Sequence, residues 1–80
     1  MKHLCATEKE LPEILVWEGS FPSLNEDQQS LCVALHRNRG PMGEVELSSF
    51  LNCTVKDLRD IQRGVHGILV DSSTREYWVK

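Results

Sequence analysis

The chain has 80 residues, of which 40% are hydrophobic and 26% are charged, and its formal net charge is −3. This length suits one small domain. The acidic balance argues against a strong general polyanion binder, because affinity for phosphates comes mainly from lysine and arginine. The longest apolar runs, Ile14–Trp17 and Leu31–Leu35, are too short to span a bilayer, and charged residues interrupt the N-terminus where a secretory signal would be apolar. We therefore expect no membrane association.

The three cysteines, Cys5, Cys32 and Cys53, form neither an even set nor a C-x-x-C pair. No disulfide framework follows, and the pattern is typical of a reducing, intracellular compartment, cytoplasmic or nuclear. A zinc site built from Cys5, Cys53 and either His3 or His66 lacks the spacing of metal ligands. We expect neither a metal nor another cofactor.

The first 23 residues are the hardest to assign. Thr7 and Glu10 have the spacing of a capping box, but Pro12 follows at the limit of what a first helical turn tolerates. Ile14–Trp17 fits either the end of a short helix or a strand. We interpret residues 1–23 as an N-terminal arm that lays its aromatic side chains on the core. A partly disordered leader is the alternative.

Three helical segments are predicted in the rest of the chain. Asn25–Asn38 starts with a good N-cap and stops before a Gly-Pro pair. Met42–Asn52 is a short amphipathic segment, in which Val45 fits a short strand that pairs with a later hairpin. Thr54–Gly64 begins with a capping-box pattern and has its apolar residues on one face.

Two strands complete the chain. Ile68–Val70 and Glu76–Val79 are rich in strand formers, and the segment between them contains four turn formers, Asp71-Ser72-Ser73-Thr74. Three helices followed by a hairpin is the order of a winged-helix domain. The sequence therefore predicts an α+β fold, a small winged helix-turn-helix spanning residues 24–80, with three helices, a C-terminal β-hairpin wing and the N-terminal arm.

The best candidate for a binding surface is a basic stripe on the third predicted helix. At about 100° per residue, Lys56, Arg59 and Arg63 cluster opposite the apolar face, with Asp60 beside them. Such a face can contact phosphates, and Arg75 in the hairpin could add a contact from the wing. The alternative is a solvated helix face whose charges form local ion pairs.

Other residues suggest a protein partner rather than catalysis. Trp17 and Trp78 are expected in the core unless exposed, in which case they would anchor a partner. His36–Arg39 is a basic patch, although favourable charge at a helix C-terminus is sufficient to explain it. The chain has no G-x-S-x-G, H-E-x-x-H or phosphate-binding glycine loop. We expect no enzymatic activity and no small-molecule substrate.

The stretch Leu58–Val70, followed by a polar turn and Tyr77-Trp78-Val79, resembles the end of winged-helix domains in RNA-associated proteins. LOTUS (OST-HTH) domains and the N-terminal winged helix of CCCH zinc-finger antiviral proteins have this order of elements. Winged helices that bind Z-form nucleic acid share it, with a Trp where Trp78 stands, but their recognition helix carries an Asn and a Tyr that are absent here. The resemblance implies a small recognition module attached to nucleic-acid-handling proteins.

Two functions follow as expectations. The first is an accessory module, related to RNA metabolism, that binds RNA or DNA through phosphate contacts from the third helix and the wing. The second is a protein–protein interaction module that docks a partner in a larger complex, since winged helices serve both purposes and fold alone does not decide between them.

Overall fold

A computed structural model describes all 80 residues. The chain is an α+β domain with four α-helices and one three-stranded antiparallel sheet. The helices are α1 (Glu10–Trp17), α2 (Glu26–Asn38), α3 (Glu44–Leu51) and α4 (Val55–Arg63). The strands are β1 (Met42–Gly43), β2 (Ile68–Val70) and β3 (Glu76–Val79), and a short 3-10 helix covers Phe21–Ser23. None of the helices has the length and apolar character needed to cross a membrane.

The helix boundaries follow from local capping. Asn25 accepts a hydrogen bond from the backbone amide of Gln28 at 2.8 Å, and the Gln28 side chain accepts one from the Asn25 amide. Thr54 caps α4 with one hydrogen bond, since its hydroxyl oxygen accepts from the amide of Asp57 at 3.1 Å. Asn52 ends α3 in the left-handed conformation, with φ of 57°. The N-caps predicted at Asn25 and Thr54 and the left-handed exit at Asn52 are confirmed, but the Asp57 side chain does not accept the return hydrogen bond that a capping box at Thr54 requires.

The prediction of three helices was wrong by one, because α1 lies in the segment interpreted as an arm. Pro12 is the third residue of α1, where the backbone amide has no acceptor inside the helix, so proline removes no hydrogen bond there. Ile14 is completely buried, and the carboxylate of Glu18 just after the helix accepts a hydrogen bond from the amide of Gly67 at 2.7 Å. This contact fixes the end of α1 against the start of β2.

The short strand expected at Val45 lies two residues earlier. Met42–Gly43 forms β1, which pairs with β3 so that Met42 faces Tyr77. Val45 belongs to α3 instead, and 72% of its surface is exposed. Helix α3 begins at Glu44, whose buried carboxylate contacts several neighbours described below.

The core lies between the helices and the inner face of the sheet. Helix α2 is central, since it contacts α1, α3, α4 and β3. Strand β3 is the middle strand, with β1 and β2 paired on either side of it. The fully buried side chains come from every part of the chain and include Ile14, Leu31, Leu47, Leu58 and Tyr77.

Candidate nucleic-acid interface and aromatic groove

Helix α4 presents three cations to solvent. Lys56, Arg59 and Arg63 are exposed, whereas Leu58 on the opposite side of the helix is completely buried. This arrangement follows from the amphipathic sequence of α4, in which one apolar stripe faces the core. Lys56 takes part in no ion pair, and Arg63 pairs with Asp60 one turn earlier at 3.4 Å.

Arg59 of α4 and Arg75 of the hairpin meet at one buried carboxylate. The Glu44 side chain is 6% exposed, and the Arg59 guanidinium donates two hydrogen bonds of 3.0 Å to it, one to each carboxylate oxygen. Arg75 donates a third hydrogen bond, of 2.9 Å, to Oε2, and the Tyr77 hydroxyl donates a fourth, of 2.6 Å, to the same oxygen. We call these four residues the Glu44 cluster.

The protonation states of the Glu44 cluster are set by its hydrogen bonds. The Arg59 guanidinium, followed by the Tyr77 hydroxyl and Arg75, lowers the pKa of Glu44 from 4.5 to about 2, although burial opposes this shift. Burial and the neighbouring Glu44 carboxylate raise the pKa of Tyr77 well above its usual range. At neutral pH the cluster therefore contains one carboxylate, two guanidinium groups and a neutral phenol, with a net charge of +1.

Arg75 is held in place by its backbone as well as by its side chain. Its φ is 56°, in the left-handed region that residues with a Cβ rarely adopt. Its amide donates to the carbonyl oxygen of Asp71 across the turn, and its own carbonyl oxygen accepts from the amide of Glu44. The hairpin turn thus places the Arg75 side chain beside the first turn of α3.

The structure brings together two of the four predicted phosphate contacts, Arg59 and Arg75, and leaves Lys56 and Arg63 on the same helix as Arg59. Sequence reasoning missed Glu44, which joins them. The residue lies 15 positions from Arg59 and 31 from Arg75, so no local spacing connects them. The only local signal was the presence of two acids, Glu44 and Glu46, in the first turn of an otherwise uncharged helix.

The two tryptophans have different environments. Trp17, at the end of α1, is half-buried and packs against the core. Trp78 points away from the core on β3 and is 42% exposed. It lines an open groove of about 410 Å³, together with Glu13, Leu35, His36, Arg39, Gly40, Pro41 and Val79.

The structure also gives the environments of the His36–Arg39 patch and of the three cysteines. The His36–Arg39 patch is divided, because Arg37 forms an ion pair with Glu10 at 2.8 Å whereas Arg39 forms none and lines the groove. No group of three or more His, Cys, Asp or Glu side chains is arranged to hold a metal ion. The three cysteines are free thiols, and burial raises the pKa of Cys32 to about 12.

No protein-family model, curated protein or solved structure matches this chain. The resemblance to winged-helix domains therefore stands on the residue pattern and the order of elements alone.

Proposed function

We propose that the chain is a winged-helix-like module that binds the phosphate backbone of RNA or DNA through α4 and the β2–β3 hairpin. The order of elements from α2 to β3 is helix, strand, two helices and two strands, with β3 in the middle of the sheet. By analogy with winged helices, we assign α4 the role of recognition helix and the hairpin the role of wing.

The observation that carries the proposal is the meeting of Arg59 and Arg75 at Glu44. A carboxylate that holds both guanidinium groups reduces their rotamer freedom, so less entropy is lost when they contact a ligand. Half of the Arg59 side chain and 41% of the Arg75 side chain remain exposed to solvent. The helix and the wing therefore offer cationic groups at one place.

The local charge sets how strong and how salt-dependent the binding is. The slope depends on the number of phosphates contacted, which we set at three: one at the Glu44 cluster, one at Lys56 and one at Arg63, whose exposed ion pair with Asp60 is exchanged for the phosphate. Displacing about three counterions from a duplex gives a log–log salt slope of about −2.7. Affinity should then fall about fortyfold when the salt concentration is raised fourfold. The contacts are to the backbone, so little dependence on base sequence is expected.

The test is a salt titration of binding to fluorescent single-stranded and double-stranded RNA and DNA. The decisive variant is the double substitution Lys56→Glu with Arg63→Glu, which should abolish binding because it reverses the charge of two cations that contact the backbone. The matched control is Lys9→Glu with Arg39→Glu, which changes the net charge equally at exposed positions away from α4. Circular dichroism and thermal unfolding of all three proteins establish that they are folded.

Equal loss of affinity in both double variants would show that only net charge matters and would contradict the assigned face. Absence of binding by the unsubstituted protein at low salt would refute the proposed function.

A further inference from the structure

The groove beside Trp78 has no role in the contacts proposed above. It lies between the C-terminal end of α2 and the end of β3, and its lining includes Leu35, Pro41 and Val79. Trp78 faces outward because side chains alternate along a strand and the neighbouring Tyr77 occupies the core position. The core therefore does not require a large aromatic residue at position 78.

An indole beside a proline in an open groove is typical of an interaction surface. Trp offers a large apolar area together with one hydrogen-bond donor, and exposed aromatic residues are enriched among the anchors of protein interfaces. The residue paired with Trp78 on the adjacent strand, Leu69, is half-buried and does not enclose it. An apolar side chain from a partner could stack on Trp78 and Pro41.

The groove itself is lined by one cation and one acid, Arg39 and Glu13, and the adjoining hollow brings a positive excess to its rim. Arg39 lines the groove, and an adjoining polar hollow adds Lys9 and Arg37. These three cations face two acids, Glu10 and Glu13, whereas the chain as a whole carries −3. Neither Lys9 nor Arg39 takes part in an ion pair, so both are available to a ligand. The rim is thus complementary to an acidic partner.

We propose that the Trp78 groove docks an acidic segment of another protein, with an aromatic or aliphatic side chain of that segment seated against Trp78. Carboxylates beside this anchor would meet Arg39 and Lys9. The inference does not rest on nucleic-acid binding, because it uses different residues on a different surface.

The first test uses the fluorescence of Trp78. It is measured in a Trp17→Phe variant, in which Trp78 is the only tryptophan and therefore the only source of indole fluorescence. The probes are three short synthetic peptides. One is rich in glutamate with a central phenylalanine, the second has alanine in place of phenylalanine, and the third has lysine in place of glutamate. We expect a saturable change in Trp78 fluorescence with the first peptide and no such change with the other two. Equal responses to the lysine peptide, or no response to the first peptide, would overturn the proposal.

The second test uses variants of the groove, measured with the same acidic peptide carrying a fluorescent label. Lys9→Glu with Arg39→Glu should weaken binding on the order of tenfold at low salt, because rim charges steer association. Trp78→Thr, which keeps a strand-forming residue, should weaken it by about thirtyfold if the indole is the anchor. Should Trp78→Thr fail to fold, the charge variant alone still decides.

The two proposed surfaces are separated by exchanging variants and ligands. Lys56→Glu with Arg63→Glu should bind the acidic peptide as well as the unsubstituted protein or slightly more weakly. If it loses peptide binding and the Lys9 and Arg39 variant does not, the acidic peptide binds at α4 and the groove proposal is wrong. If the Lys9 and Arg39 variant instead loses oligonucleotide binding, the groove is a nucleic-acid site and the proposal is also wrong.

Discussion

Replacing Glu44 with glutamine should reveal how much the Glu44 cluster stabilises the fold. The substitution preserves shape but removes the charge, and one of the two oxygen positions becomes an NH₂ group. Whichever way this amide is turned, it faces at least one arginine or tyrosine donor, because four hydrogen bonds reach both oxygens of Glu44. A donor facing a donor forms no hydrogen bond.

The expected loss can be set from the burial of each partner. Hydrogen bonds to charged groups contribute about 1.5–3 kcal/mol each when buried. Arg59 and Arg75 are 50% and 41% exposed, so water replaces much of what they lose. Tyr77 is 1% exposed and is less easily compensated. We therefore expect Glu44→Gln to reduce the free energy of unfolding by about 2 kcal/mol, which lowers Tm by about 8–16 °C in a domain of this size.

The effect should depend on pH with a defined sign. The pKa of Glu44 is about 2 in the folded protein against 4.5 ordinarily, so the unfolded chain takes up the proton first as pH falls. The stability that Glu44 contributes is complete above pH 4.5 and is lost as pH falls toward about 2. Unsubstituted protein should therefore lose stability more steeply than Glu44→Gln over this range. Glu10 also has a lowered pKa, but it is present in both proteins and cancels.

The assay is urea or thermal unfolding followed by circular dichroism at neutral pH and at several pH values below 4.5. The matched control is Glu46→Gln on the same helix, where the carboxylate is exposed and forms no ion pair, so that the change should stay within about 0.5 kcal/mol. If the two glutamine variants were equally stable, or if Glu44→Gln kept the full acid sensitivity, the account of the Glu44 cluster would be refuted.

Two further substitutions test the placement of the helices. Leu58→Ala should lower the free energy of unfolding by about 2–5 kcal/mol, because Leu58 is completely buried. Its control is Val45→Ala at an exposed position, which should change stability by less than about 0.5 kcal/mol. Equal effects in urea unfolding would mean that α4 is rotated about its axis. Gly67→Ala should cost about 1–3 kcal/mol, because a Cβ there would collide with the carbonyl oxygen of Trp17. Gly19→Ala is its control, having open space around the added carbon, and a neutral Gly67→Ala would show that α1 does not pack against the start of β2.

Features that depend on neighbours in sequence could be predicted, and features that depend on distant residues could not. The caps at Asn25 and Thr54 and the left-handed Asn52 each require only residues within one turn, and all three are present as expected. Helix α1 was missed because Ile14–Trp17 fits a helix or a strand equally well until its partners are known. Packing against α2 and the bond from Gly67 to Glu18 decide in favour of the helix.

The basic surface of α4 likewise has features set by sequence neighbours, which could be predicted, and features set by distant residues, which could not. Helical periodicity places Lys56, Arg59 and Arg63 on one side of α4, and all three are exposed. Periodicity says nothing about which of these cations has a buried acid beneath it. That depends on the path of the chain from β1 into α3, which brings Glu44 under Arg59.

The Glu44 cluster also changes how the acidic composition of the chain should be interpreted. A net charge averages over the whole surface, whereas a bound phosphate responds to charges within a Debye length, which is about 10 Å at moderate ionic strength. Glu44 lowers the total charge but joins α3, α4 and the hairpin, so it holds Arg59 and Arg75 in one relative position. One acid can therefore weaken the overall field and still improve a local site, because contact with a backbone phosphate needs correctly placed donors as well as charge. If the proposed binding holds, its salt slope measures the local charge, whereas the unfolding of Glu44→Gln measures how strongly Glu44 holds the two guanidinium groups.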